Sequence, residues 1–193
     1  MKTLLILGND KISQLAASKI SSNINLKILI DRSNNIKRIY KLLTKRVISP
    51  LLFIKMFYCE FKRKNFHSLK SFESIHDNKM LVSFVEKHNI KKIILFRASL
   101  IIGKTLIKKK ITILNIHAAK VPKYGGIGSI QKALKQKELN QYASLHLVKV
   151  AIDKGKVLDK EKYNLIPNKS YCYNEGIAYR AASKLLSRTL LKC

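Results

Sequence analysis

Acidic residues are scarce in this chain. It has 11 Asp and Glu against 39 Lys and Arg in 193 residues, a formal charge of +28, and none of the acids lies between Glu86 and Glu138. Such a balance attracts phosphates, nucleic acid or an anionic membrane surface. A Lys-rich bias spread over a solvated surface is the plainer alternative, since Ile, Lys and Asn recur as AT-rich coding would produce. The cysteines number three (Cys59, Cys172 and Cys193) and lack C-x-x-C spacing. That pattern speaks for free thiols in a reducing compartment and against a disulfide framework or a zinc site. The five histidines form no H-E-x-x-H pair, so no metal is implied. No window approaches the roughly 18 uninterrupted apolar residues that a bilayer span requires. The run at Leu4 to Leu7 is also too short for a signal peptide. The expected location is cytoplasmic.

At 47% apolar content the chain can build a proper core, and residues 1–193 are expected to form one domain. Leu4 to Leu7 reads as a buried strand that Gly8-Asn9-Asp10 turns into a helix around Ile12 to Ile20, and Leu26 to Ile30 reads as a second strand. Strand–turn–helix–strand is the opening of a doubly wound α/β sheet. G-x-G-x-x-G is missing, so reading Asp31 as a ribose contact has little behind it. From Asn34 to Lys64, Ile36, Ile39, Tyr40, Leu43 and Val47 fall at helical spacing among cations, and Ser49-Pro50 interrupts them. The apolar run from Leu51 to Tyr58 then ends in Lys62-Arg63-Lys64. This face could lie on a membrane interface or pack on the domain. Further expectations are a helix over Met80 to His88, a strand over Lys92 to Phe96 and a helix or turn over Ile101 to Lys109. A central strand over Ile111 to Ile116 follows, then a helix over Ile127 to Lys137. Strands over Tyr142 to Val150 and Val157 to Ile166 precede a closing helix from Asn174 to Leu191.

Chemistry concentrates at Asn115-Ile116-His117 and Asp153-Lys154-Gly155. Asn115 and His117, two apart at a strand end, project to one side. An amide can hold a carbonyl oxygen, an imidazole can donate a proton to it, and a carboxylate can orient the imidazole or a water. With no Ser or Cys nucleophile beside an obvious base, the set suits acyl transfer without a covalent intermediate. Lys104, Lys108, Lys109, Lys110, Lys120, Lys123 and Lys132 are among the lysines of the acid-free interval, where they would draw in a polyanion.

The stretch Ile113 to Gly126, with Asn115, His117, Pro122, Tyr124 and Gly126, resembles the signature N-x-H-[PA]-S-x-L-P-x-Y-x-G of the folate-dependent formyltransferases. Ser144-Leu145-His146-Leu147-Val148 and Ile152-Asp153-Lys154-Gly155 resemble that family's second block, an S-V-H-x-V strand leading into L-D-x-G. The resemblance implies a three-layer Rossmann-like α/β fold with a mostly parallel sheet, and 10-formyltetrahydrofolate as co-substrate without a metal. It implies catalytic roles for Asn115, His117 and Asp153, with His146 behind them. Asn115 would hold the formyl oxygen, His117 would stabilise the oxyanion, and Asp153 would help remove the amine's proton. Pro122, Tyr124, Gly125 and Gly126 would shape the substrate loop, and Phe96, Arg97, Ala98 and Ser99 stand where the family's backbone grips the pterin. Ala119 and Lys120 depart from the commonest motif.

The acceptor follows by elimination within that family. The phosphoribosylglycinamide enzymes carry a G-S-N phosphate loop where this chain has Gly8-Asn9-Asp10-Lys11-Ile12. The methionyl-tRNA enzymes share the His117-Ala118 pair but carry a barrel-like tRNA domain, and the formyltetrahydrofolate hydrolases a regulatory domain, for which this length leaves no room. What remains is an amino sugar on a nucleotide, destined for surface polysaccharide. Phosphoribosylglycinamide or methionyl-tRNA activity stays open, as does a non-catalytic nucleic-acid-binding protein on the same fold. No nucleic-acid recognition motif supports the last. A homodimer and association with a membrane surface also stay open.

Overall fold

The computed structural model describes residues 2–20, 25–33, 36–65 and 72–192. Its centre is a 7-stranded sheet in the order β3-β2-β1-β4-β5-β6-β7. The strands are β1 (Thr3–Gly8), β2 (Leu26–Asp31), β3 (Ser74–Ile75), β4 (Lys92–Phe96), β5 (Thr112–His117), β6 (Asn140–Leu147) and β7 (Val157–Asn164). The first five pair in parallel, while β6 runs antiparallel to both β5 and β7. The expected mostly parallel sheet is therefore present.

Side-chain alternation divides the core into two layers. Leu5, Leu7, Ile94, Phe96, Leu114 and Ile116 face one side. There they meet α1 (Lys11–Ala17), α3 (Pro50–Lys62), α6 (Ser129–Lys135) and α7 (Tyr171–Leu190). Leu4, Ile6, Ile93, Leu95 and Ile113 face the other, against α4 (Asn78–Lys87) and α5 (Lys104–Ile107). Each fully buried Leu or Ile contributes about 1.5–3 kcal/mol of transfer free energy. Helix starts follow side-chain capping: Asp10, Ser49, Asp77 and Ser170 accept from the amides of Ser13, Leu52, Met80 and Tyr173.

The Asn34–Lys64 stretch forms two helices, α2 (Ile36–Thr44) and α3, while Asn34 and Asn35 lie outside the described residues. The interruption at Ser49-Pro50 is the start of α3, with Ser49 as its cap and Pro50 in its first turn, where a missing amide costs nothing. The short β3 was not expected, because two residues carry no periodicity.

The cysteines require a correction. Cys59 of α3 and Cys172 of α7 form a disulfide with their Cα atoms 5.3 Å apart, and Cys193 lies outside the described residues. The expectation of free thiols rested on a separation of 113 residues without a motif, and sequence distance does not measure distance in space. Among the described residues, no helix is long and apolar enough to cross a membrane.

Candidate active site

β5 ends where the parallel strands of the sheet have their carboxyl ends, the usual place for ligands in open α/β sheets. Asn115 and His117 occupy its last turn of pleat, on the α4/α5 side by alternation with Ile113. The antiparallel register sets Asn115 opposite His146 and His117 opposite Ser144. The turn after β6 returns Asp153 to the same place with φ 52°. That left-handed conformation is one Asp tolerates better than most residues, and it is typical of side chains held for a task.

The four polar side chains are in mutual reach. Asn115 Nδ2 lies 3.2 Å from His146 Nε2 and 3.3 Å from Asp153 Oδ1. His146 Nε2 is 3.3 Å from Asp153 Oδ1, and His117 Nδ1 is 3.7 Å from Asp153 Oδ2. The amide of Gly126 donates to Asp153 Oδ2 at 2.7 Å. Tautomers depend on the partners of the ring nitrogens. His146 Nδ1 is 3.0 Å from the carbonyl of Leu147, and its Nε2 reaches both the Asn115 amide and Asp153 Oδ1, so its tautomer sets which of these partners it bonds. His117 Nε2 is 2.8 Å from the carbonyl of Tyr124, so its proton sits there and its lone pair is on Nδ1, facing Asp153.

Burial and partners set the charges. Burial would raise the Asp153 carboxyl, but the His146 bond, the nearby His117 and the Gly126 amide outweigh it and hold the group well below the usual carboxylate range. Burial lowers His117 below its ordinary value, with Asp153 and the Tyr124 carbonyl opposing and His146 and Lys132 assisting. A neutral imidazole thus stands beside an ionised carboxylate at neutral pH.

The residues 122–126 bend tightly, with the Tyr124 amide bonded to the Lys120 carbonyl at 2.7 Å and the Gly125 amide to the Pro122 carbonyl at 3.3 Å. The Val121-Pro122 peptide is cis. Tyr124 contributes main chain only, because its ring is buried in the core. Its hydroxyl lies 2.7 Å from Gln136 and 2.8 Å from Glu138.

The segment Phe96, Arg97, Ala98 and Ser99 lies beside the Asn115 strand end, since Leu95 pairs with Asn115 and Phe96 with Ile116. Phe96 is buried in the core. Arg97, at φ 57°, sends its guanidinium to Asp10 at 2.7 Å and over the Tyr179 ring. The Ser99 and Leu100 amides donate to Asp31 at 2.5 and 2.7 Å. What this segment can offer a ligand is therefore main chain, not the Phe96 or Arg97 side chains. Asp31, 1% exposed, spends its oxygens on Ser33, Ser99 and Leu100 and acts as the anchor of this loop, not as a ribose contact.

The lysine-lined cleft also needs revision. Lys120 and Lys123 pair with Glu138, and Lys109 pairs with Glu86, so the two acids that bound the acid-free interval fold back onto it. Hydrogen bonds from Lys120, Lys123 and Tyr124 bring the Glu138 carboxyl down to about 2. Among the described residues, no group of three His, Cys, Asp or Glu could hold a metal ion.

The family model described as formyl transferase matches residues 54–189. A search of curated protein sequences finds no significant match. Among solved structures, phosphoribosylglycinamide formyltransferase from Streptococcus pneumoniae TIGR4 is 20% identical with a TM-score of 0.64, over 99% of this chain and 97% of that one. A sugar N-formyltransferase from a Shewanella species is 16% identical with a TM-score of 0.62, over 98% of this chain and 68% of that one. A formyltetrahydrofolate deformylase from Pseudomonas syringae pv. tomato is 12% identical with a TM-score of 0.64, over 98% of this chain and 59% of that one.

Proposed function

We propose that this chain, which belongs to the formyl transferase family and is an enzyme of it, moves a formyl group from 10-formyltetrahydrofolate to the amine of a nucleotide-linked amino sugar. The grouping of Asn115, His117, His146 and Asp153 at one strand end carries the reading. Main chain from Phe96 to Ser99 suits the hydrogen-bonding edge of a flat pterin, and the folate would supply the formyl group on its N10. The seven-stranded sheet and its helices serve as one catalytic domain for a small anionic substrate.

The chain's residues divide the work. Asn115 exchanges its 3.3 Å bond to Asp153 for one to the formyl oxygen, which gains negative charge as the amine attacks. His117, with Nε2 held by Tyr124, presents a lone pair at Nδ1 and takes the amine's proton. Asp153 then faces an imidazolium, which it stabilises and which returns the proton to the departing folate nitrogen. His146 keeps Asn115 and Asp153 in register. The resemblance alone makes His117 a donor to the oxyanion; in the proposal made here it first accepts the amine's proton.

The choice of acceptor rests on the start of α1. Its amides already meet carboxylates, Ser13 N to Asp10 at 3.0 Å and Lys11 N to Glu60 at 2.6 Å. Lys11 Nζ is spent on the carbonyls of Phe61 and Arg63. A phosphate there would face two negative groups, which speaks against phosphoribosylglycinamide as the acceptor. Release of tetrahydrofolate with a panel of amines tests both levels of the proposal. Turnover is expected with a 4-amino or 3-amino sugar nucleotide and about a hundredfold less with Asn115→Ala. Turnover only with phosphoribosylglycinamide or methionyl-tRNA would replace the acceptor, and no turnover with any amine would sink the reaction.

The pH profile supplies a second check. Since folding lowers the His117 pKa, its neutral form persists below pH 6.5 in the native enzyme. The acid limb of kcat/KM is expected below that value, and a limb at or above it would contradict the assignment of His117 as base. The same sign makes the stabilising contribution full above the unfolded pKa and lost as pH falls through the folded one.

A further inference from the structure

The helix α3 has two apolar faces, and among the described residues only one packs against the core. Leu52 and Cys59 are buried, with Phe53 and Met56 packed partly against the core. Leu51, Ile54, Tyr58 and Phe61 recur at i, i+3, i+7 and i+10, with Phe57 beside them, and form a stripe along the opposite side. These are among the most exposed large apolar side chains of the described residues: Ile54 is 61%, Phe57 67% and Phe61 75% exposed. A contiguous apolar stripe of this kind, unlike scattered surface leucines, marks a surface for contact.

Charge says what covers it. Lys55 and Lys62 follow the stripe along one flank, both exposed, and Lys62 Nζ stands 4.8 Å over the Tyr58 ring. The exposed Lys41, Lys45 and Arg46 precede α3. Between Arg32 and Lys64 the only acidic residue is Glu60, and it is engaged by Arg63 and by the Lys11 amide. A second copy of this chain would bring another +28 to the same place, whereas an anionic surface brings the opposite sign. We infer that α3 docks the enzyme on an anionic lipid bilayer, lying in the interface with Ile54, Phe57 and Phe61 among the acyl chains. The lysine stems run along the apolar surface and their ammonium groups reach the headgroups. The inference is independent of which amine accepts the formyl group.

The chain contains no tryptophan, so Phe57→Trp is a single reporter without background. Its emission is expected to shift to the blue on vesicles of phosphatidylcholine with phosphatidylglycerol, and not on phosphatidylcholine alone. In flotation with the same anionic vesicles, part of the wild-type protein is expected to stay bound at about 0.5 M salt, where surface charge is screened. The triple variant Ile54→Ser, Phe57→Ser, Phe61→Ser is expected to lose at least about tenfold in that retained fraction. Its formyl transfer in solution stays unchanged, which separates docking from the catalytic reading and from misfolding. Equal release of wild type and triple variant by salt, or no blue shift on bound vesicles, would reduce the contact to net charge and overturn the proposal. A lipid-free dimer in sedimentation that the triple variant abolishes, without vesicle binding, would assign the stripe to a second copy instead.

Discussion

Asp153→Asn is expected to lower kcat/KM for formyl transfer by about a hundred- to a thousandfold. Asparagine tolerates the left-handed backbone at this position, and its oxygen can still accept from the Gly126 amide. What it lacks is the charge. His117 then acquires the amine's proton with no carboxylate 3.7 Å away, and Asn115 and His146 face an amide that can donate as well as accept. The variant also loses stability at neutral pH. Asp153 has a lowered pKa, so its contribution is present above the unfolded carboxylate pKa and vanishes only as pH falls through the folded value. Steady-state rates taken well below the variant's Tm isolate the catalytic loss. Turnover within a few fold of wild type there would remove Asp153 from the mechanism.

Gly155→Ala is expected to be the most damaging single methyl group in the chain, costing about 3 kcal/mol or more. A Cβ there would lie 1.7 Å from the Leu147 carbonyl oxygen and 2.7 Å from its carbon. Both are main chain, so no side chain can rotate away. The Leu147 amide meanwhile bonds to the Lys156 carbonyl at 3.0 Å, fixing the two segments against each other. Relief by moving β6 displaces His146, and relief by moving the turn displaces Asp153, so activity falls along with Tm. Gly126→Ala is the matched control: a Cβ there meets nothing within 4 Å and carries only the strain of φ 76°. Thermal melts that rank the two variants equally would refute the steric account.

Much of this was legible in the sequence. Four-residue apolar runs such as Leu4 to Leu7 and Ile93 to Phe96 have one reading in an α/β chain, and β4 (Lys92–Phe96) has the bounds its pattern suggested. Asn115, His117 and Asp153 were visible because two motif blocks stood at a family's spacing, and the structure brings them together. Interactions made through main chain or over long separations left no trace. The Tyr124 carbonyl that orients His117 is the same in any residue type, and a buried Asp31 looks in sequence like any Asp after a strand. Cys59 and Cys172 show no motif, because helices α3 and α7 meet through tertiary packing. Glu86 and Glu138 looked remote from the lysines they neutralise for the same reason.

The Tyr124 carbonyl has a consequence for how this enzyme tolerates change. A site whose key imidazole is oriented by a carboxylate can be switched off by one codon at the orienting position. Here the orienting atom belongs to the peptide bond, and no substitution can delete it. Variation at position 124 is filtered only by whether the ring's place in the core is refilled, with Gln136 and Glu138 losing a partner. The proton's address on His117 is therefore inherited with the fold, and drift in that loop would cost stability before it cost chemistry.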